Sequence, residues 1–262
     1  MGPNHIWHCD GYDKLKPFGI CIHGAIDGWS RKLIWLNVGR TNNDPNVICT
    51  YYMNSLRKLK FVPRILRVDA GTENVMMADV HTLMRAEHHD QFSRKCVIIG
   101  KSVHNERIER FWGYLNMAYA RSCVNLFKDM RDFGILDVSN ALQIECLRFC
   151  FIPVIQEDLM LVMDTWNDHR IRKQTTRSPA GRPSFLFDCP EYLGYSDMSM
   201  YADMSLLQNC EEIVSVQLPI MGASDEFSEL ALEVMLMYNL HLPTSLQDAM
   251  DLFVNLVELM GL

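Results

Sequence analysis

The run Ile65-Leu66-Arg67-Val68 ends in an acid, Asp69, and breaks at Gly71 before a polar stretch that favours a helix. Apolar, partly β-branched residues bounded by a turn signal read as a buried strand. Such a strand presents its last side chain, here a carboxylate, at the edge of a sheet. A strand that turns directly into a helix is the building unit of open α/β sheets, where ligands gather at the carboxyl ends of strands. An Asp in that place serves equally well as a helix cap. Company favours chemistry: Asp10 ends an earlier apolar run, Ile6-Trp7-His8-Cys9, and Ser102 to Glu109 opens a later helix with further acids.

Along the chain, residues 5–10, Ile20–Ile26 and Leu33–Val38 read as strands. The last two are joined through Asp27-Gly28, a strong hairpin signal, so the three form an antiparallel meander. Asp44 caps a helix that Pro45 opens and Pro63 stops. The strand to Asp69 follows, then a helix from about Glu73 to Ala86, a fifth strand at Cys96–Ile99, and a helix capped by Ser102 with Phe111, Trp112, Leu115 and Tyr119 on its apolar side. Helical signal returns from Ala141 to Trp166. The order βββαβαβα predicts an α/β fold: a five-stranded mixed sheet, three strands antiparallel and two parallel, flanked by helices. Residues 1–135 form this core, 136–183 a helical continuation ending in the linker Arg177–Pro183, and 184–262 an acidic, Met-rich helical extension. Within that extension Asp188–Glu212 reads as irregular, and Glu226–Leu262 as one or two helices broken at Pro243.

Composition excludes several classes. With 48% hydrophobic and 10% aromatic residues the chain buries a real core. No apolar run reaches the roughly 18 residues needed to span a bilayer, so no membrane partner is expected. The first residues are no signal peptide, and Pro3 argues against myristoylation of Gly2. Nine cysteines with no Cys-x-x-Cys pair, including Cys146 and Cys150 one helical turn apart, read as reduced core residues of an intracellular protein. His5, His8 and Cys9 lack a fourth ligand for zinc. The overall charge of −7 conceals an asymmetry: residues 1–182 hold all 25 Lys and Arg against 19 acids, a net +6, and the rest hold 13 acids and no base, a net −13. A basic body suits nucleic acid. The acidic extension is expected either to fold back over the basic groove and restrain it, or to form a separately packed partner surface.

Carboxylates that converge from separate elements repel one another unless a cation lies between them. Mg2+ or Mn2+ favours such oxygen ligands, and a pair of ions about 3.5–4 Å apart activates a nucleophile and stabilises a leaving oxygen in phosphoryl transfer. Asp10 would bridge the two ions, with Asp69 on one and a helical glutamate on the other. Glu106 and Glu109 are one turn apart on one helix face, and spacing alone leaves both open.

Four stretches in order, Trp7-His8-Cys9-Asp10-Gly11-Tyr12, Ile22–Arg31, Val68–Asn74 and Gly100–Arg110, resemble the integrase catalytic core, the DDE family of retroviral integrases and transposases with a ribonuclease-H-like fold. Trp166-Asn167-Asp168-His169-Arg170 followed by Ser178-Pro179 is similar to the closing segment of many transposase cores. The variant resembles transposon-derived integrase-core proteins of animal genomes. In that family the final acid follows an Asn or Ser by a few residues and precedes a basic or polar one. Asn105-x-x-x-Glu109-Arg110 fits, so the resemblance selects Glu109. It implies DNA integration by cleavage and strand transfer, catalytic and metal-ligating roles for Asp10, Asp69 and Glu109, a two-metal Mg2+ or Mn2+ site, DNA as partner, homo-oligomers such as dimers, and a nuclear location. Lys101, Asn105, Arg107 and Arg110 flank the third acid and become candidate nucleic-acid contacts.

Two departures matter. Asp69 and Glu109 lie 40 positions apart, slightly longer than usual, and Glu87–Arg94 is expected to absorb the surplus as a loop. The residues before the first strand leave no room for the family's DNA-end-binding domain, so the chain is expected to be a fragment of a longer product or to borrow DNA recognition. The rival expectations are a domesticated, catalytically silent core that binds nucleic acid or protein, and a nuclease that only hydrolyses. Asp27 is expected to make the hairpin turn, His23 to be a core or rim histidine, His104 to be exposed, and Glu73 and Asn74 either to line the DNA groove or to cap a helix.

Overall fold

The computed structural model describes residues 2–100, 105–172, 179–214, 216, 218–219 and 221–262. Strands β1 (Ile6–Tyr12), β2 (Cys21–Asp27) and β3 (Leu33–Gly39) form the antiparallel meander. Asp27 holds the β2–β3 turn. Its fully buried carboxylate accepts from the backbone N–H of Asn4 (2.7 Å), Trp29 (3.2 Å) and Ser30 (2.7 Å) and from the Ser30 hydroxyl (2.7 Å). Asp27 is therefore a structural carboxylate, as its Asp-Gly context suggests.

Helix α1 (Pro45–Leu59) starts where Asp44 accepts from the Asn46 N–H at 2.9 Å, a cap worth about 1 kcal/mol. It ends at Lys60, in left-handed conformation (φ 66°), short of Pro63. A two-residue strand, β4 (Phe61–Val62), precedes β5 (Ile65–Val68), so the strand that ends at Asp69 is the fifth rather than the fourth. A single 3-10 turn, Thr72–Asn74, leads into α2 (Val75–Arg85), and β6 (Val97–Ile99) completes a sheet of order β3-β2-β1-β5-β6. The β1–β5 and β5–β6 pairs are parallel. The surplus between Asp69 and Glu109 includes the 87–96 connection, where Arg85 clamps Asp90 with two contacts of 2.8 Å.

Helix α3 (Glu106–Leu115) runs through a π-helical turn, Asn116–Ala120, into α4 (Arg121–Asp132). Its first residue is Glu106, with Asn105 at the cap position; the expected cap, Ser102, lies outside the described residues, as do Lys101 and His104. Helix α5 (Ala141–Asp168), about 42 Å long at 1.5 Å per residue, covers the open edge of the sheet. Gln156 accepts from the Val38 N–H (3.0 Å) and donates to the Leu36 carbonyl (3.1 Å); Asn167 does the same with both backbone groups of Leu33 (2.8 and 3.2 Å). An edge strand with unpaired backbone groups invites aggregation, and these two amides occupy it. Trp166 adds a bond from its indole N–H to the Arg31 carbonyl at 2.8 Å. The Trp-Asn pair of the closing segment thus fastens α5 to the start of β3.

Beyond α5, Ile171 bridges Gly181, and α6 (Pro183–Asp188), β7 (Met200–Tyr201), α7 (Met204–Val214), α8 (Asp225–Met237) and α9 (Leu246–Met260) follow. The expectation of irregular structure through Asp188–Glu212 fails at α7: Asp203 accepts from the Ser205 and Leu206 N–H groups and starts a regular helix. Side chains alternate across the sheet as the strand period demands. Trp7, Cys9, Leu66 and Val68 point into a layer with α1, α2 and α7; Tyr12, Ile22 and Ile26 point into a second layer with α3, α4, α5, α8 and α9. β7 pairs with β4. The extension is therefore part of both core layers. All nine cysteines are free, and eight are buried. Among the described residues no helix is long and apolar enough to cross a membrane.

Candidate active site

The parallel β1–β5 register pairs Ile6 with Ile65, Trp7 with Leu66 and His8 with Arg67. Continued by two residues, it sets Asp10 on β1 beside Asp69, which directly follows β5. Both belong to the face opposite Cys9 and Val68, the face that α3 covers.

Two contacts bring α3 to this point. The Trp112 indole N–H donates to Asp10 Oδ2 at 3.0 Å. Trp112 can lie so close to the sheet because Gly24, paired with Asp10 on β2, has no side chain: a Cβ there would stand 3.0 Å from the Trp112 ring and 3.3 Å from Leu36. One turn earlier on α3 is Glu109, so the Trp112 anchor aims Glu109 toward Asp10. At the helix start Asn105 is buried and both ends of its amide are engaged with β1. Its Nδ2 donates to the Cys9 carbonyl at 3.0 Å, and its Oδ1 lies 2.7 Å from His8 Nδ1. Because Oδ1 only accepts, His8 carries a proton on Nδ1. Burial lowers its pKa to about 4, with Arg67 and Arg107 adding to the depression against the Asn105 bond.

Asp69 does not cap α2. Asn74, buried at the end of the 3-10 turn, donates from Nδ2 to Asp69 Oδ1 (2.6 Å) and to Glu73 Oε1 (3.0 Å). Glu73 is raised above the usual carboxylate range, mainly by burial and further by Asp69. Asp10 is the most perturbed of the three acids: burial first, then the charges of Glu109 and Asp69, push its carboxyl up to about 7 against the Trp112 bond. Glu109 is exposed on the first turn of α3. Among the described residues no three His, Cys, Asp or Glu side chains stand together as a ready ligand set.

Of the candidate nucleic-acid contacts, Asn105 is occupied in tying α3 to β1. Arg107 and Arg110 line a cavity of about 710 Å³ between α3 and the end of α5. Burial lowers the Arg107 pKa, and neighbouring Arg110 lowers it further. Sequence reasoning missed Trp112 as a carboxylate partner and Gly24 as the gap that admits it. His23 is a core histidine: it accepts from the Trp35 indole at 3.1 Å, stacks on Trp35 and Tyr51, and burial drops its pKa to about 3.

A mixed sheet of order 3-2-1-5-6 with an acid within its first strand, one directly after its fifth and one on the helix after its sixth is a ribonuclease-H-like fold. The family model for the integrase core domain matches residues 1–182, and the chain belongs to that family. The match ends where the basic part of the sequence ends. The family generally uses divalent metal ions and binds nucleic acid. No curated protein matches the chain.

Proposed function

We propose that the chain is a DDE-type polynucleotidyl transferase acting on DNA, with Asp10, Asp69 and Glu109 as the carboxylates that would hold Mg2+ or Mn2+. What supports this reading is the family match together with the parallel β1–β5 register and the Trp112 contact, which bring the three acids to one end of the sheet, and Asp10 is raised by burial first and by Glu109 and Asp69 next. Three hard-oxygen donors of like charge fit a divalent ion. Bound there, such ions would supply Lewis acidity for in-line attack of water or a DNA 3′-hydroxyl on a phosphodiester. The chain's own residues orient the donors. The Trp112 indole fixes one oxygen of Asp10, and the Asn74 amide fixes one oxygen of Asp69. Glu109, exposed and one methylene longer, reaches across from α3. Arg107 and Arg110 would meet the phosphates, with Asn105 positioning the helix that carries them, and Lys101, outside the described residues, is proposed as a third phosphate contact. The DNA role implies action in the nucleus and, as usual for multimeric integrases, a dimer or larger assembly.

The test is Asp69→Asn on short duplexes: Mg2+-dependent cleavage and joining should vanish while the circular dichroism spectrum stays. Retained chemistry would refute the assignment. Joined products separate an integrase from a nuclease of the same fold. A second reading, a silent core that only binds nucleic acid or protein, draws on the same contacts, since Asp10 and Asp69 already have partners in Trp112 and Asn74. Calorimetry with Mn2+ distinguishes the two: DNA binding with neither metal uptake nor turnover would favour the silent module.

A further inference from the structure

The cavity between α3 and the end of α5 has features that the carboxylate site does not use. Six arginines line it: Arg31, Arg107, Arg110, Arg121, Arg170 and Arg172. They come from four places in the fold, the turn before β3, α3, α4 and the segment after α5, and no acid joins them among the described lining residues. Arg121, Arg170 and Arg172 are exposed and form no ion pair among the described residues. Crowding the cations has a visible cost: burial, then Arg107 and Arg110, lowers the Arg31 pKa to about 10. The floor is of a different character. Trp166 and Tyr114 pack with ring centroids 5.0 Å apart, His169 lies 4.8 Å from Trp166, and Met117 projects beside them.

A ring of guanidinium groups over an aromatic and apolar floor calls for a ligand that is both anionic and flat. Duplex DNA offers only its phosphates to such a surface, because its bases are stacked inside. An unpaired strand offers phosphates to the rim and a base face to the floor, the combination by which single strands are held. At about 710 Å³ the cavity is within the usual range for ligand sites. Arg107 and Arg110 reach it from the same helix that carries Glu109, so a strand seated here continues toward the carboxylates.

We propose that this cavity is a binding site for an unpaired DNA strand, a single-stranded tail next to the duplex being cut or joined. The proposal rests on the reading of the chain as a polynucleotide enzyme. Fluorescence anisotropy in EDTA, where no cleavage interferes, tests it with a blunt duplex, the same duplex carrying a tail of about five thymidines, and the free oligothymidine. The wild-type chain should bind the tailed duplex about tenfold more tightly than the blunt one, the gain of one stacked base. Arg121→Glu/Arg172→Glu, both at exposed positions that the fold tolerates, should remove that preference and flatten the salt dependence of oligothymidine binding by about 1.4 in log–log slope. Lys58→Glu/Lys95→Glu, with the same charge change on surfaces away from the cavity, should keep the preference. Inorganic pyrophosphate competing as well as the oligothymidine would overturn the strand in favour of a simple phosphate site. A wild type with no tail preference, or a double variant that keeps it, would overturn the proposal outright. Absence of Mg2+-dependent cleavage with the tail preference intact would count against the enzymatic reading alone.

Discussion

Replacing Asp10 by Asn should stabilise the protein while abolishing its chemistry. The Asp10 carboxyl titrates near 3.8 in an unfolded chain and is pushed up to about 7 in the fold, by burial first and by Glu109 and Asp69 next. A raised carboxyl holds its proton longer in the native state, so stability is lost as pH rises from the unfolded value through the folded one. The interval is worth a ceiling of about 4 kcal/mol at 1.36 kcal/mol per pH unit. Asp10 is partly exposed, and solvent screening brings the expected effect to about 2–3 kcal/mol. Asn is the same size, carries no charge, and still offers an oxygen to the Trp112 indole. At pH 8 the variant should melt about 5–9 °C above wild type, and near pH 4 the two should converge. Added Mg2+ should raise the melting temperature of wild type at pH 8 and leave the variant unmoved, because bound ligand stabilises only the state that binds it. Scanning calorimetry at both pH values, with and without Mg2+, measures all of this. A variant that melts at or below wild type at pH 8 would refute the electrostatic argument.

Gly24→Ala probes the same site from the other side. Its Cβ would press on Trp112 from 3.0 Å, so the indole should withdraw from Asp10, with about 1–3 kcal/mol lost to overpacking, a change in near-UV circular dichroism and a sharp drop in strand transfer. On the acid side, burial holds His8 at about 4 and His23 and His81 at about 3. These lowered histidines contribute stability above pH 6.5 that is lost as pH falls toward their folded values. Asp10 and Asp27, raised to about 7 and about 6, run the other way. The fall in melting temperature between pH 6.5 and 4.5 should therefore be steeper in Asp10→Asn than in wild type, and parallel curves would contradict it.

The alternation of apolar residues along the strands, the Asp-Gly turn and the Asp44-Pro45 helix start are local signals, and the meander, the two parallel strands and the flanking helices follow from them. The acids were legible for the same reason: Asp69 follows an apolar run directly, Glu109 is on the first turn of a helix, and Asp10 breaks the apolar run of β1, although that strand continues to Tyr12. What fixes those acids was not legible, because it depends on side chains that meet across long stretches of chain. Asn105 reaches His8 across 97 positions, and Trp112 reaches Asp10 across 102. Trp112 read as one more residue of an apolar helix face, and only the missing side chain at Gly24 shows that its indole edge looks onto the site. Helix α7 escaped for a different reason. Its buried Leu207, Cys210 and Val214 have helical spacing and Asp203 precedes them as a cap, but methionines on both sides blur the contrast between faces.

The division of charge at Arg182 suggests two bodies, a basic core and an acidic appendage folded over its groove. The packing argues otherwise. Leu207, Cys210 and Val214 complete one layer of the core, and Phe227, Val234, Leu252, Phe253 and Leu256 complete the other. Lys32, next to Arg31, pairs with Asp188 at 2.8 Å, and Arg57 pairs with Glu211; the described lining of the arginine cavity includes no residue beyond Arg172. Apart from Glu211 the acids of the extension are exposed. The basic and acidic parts of the sequence thus share one packed core, with the acids on its surface. Removing residues 184–262 should accordingly not release a groove. It should strip two apolar faces, and at about 1.5–3 kcal/mol for each buried Leu or Phe re-exposed the loss exceeds the 5–15 kcal/mol that holds a domain together. The expected product is insoluble or molten, recognisable by dye binding and loss of near-UV dichroism. A truncated chain that stays monomeric, cooperative in unfolding and tighter on DNA at low salt would show that the extension restrains the core after all.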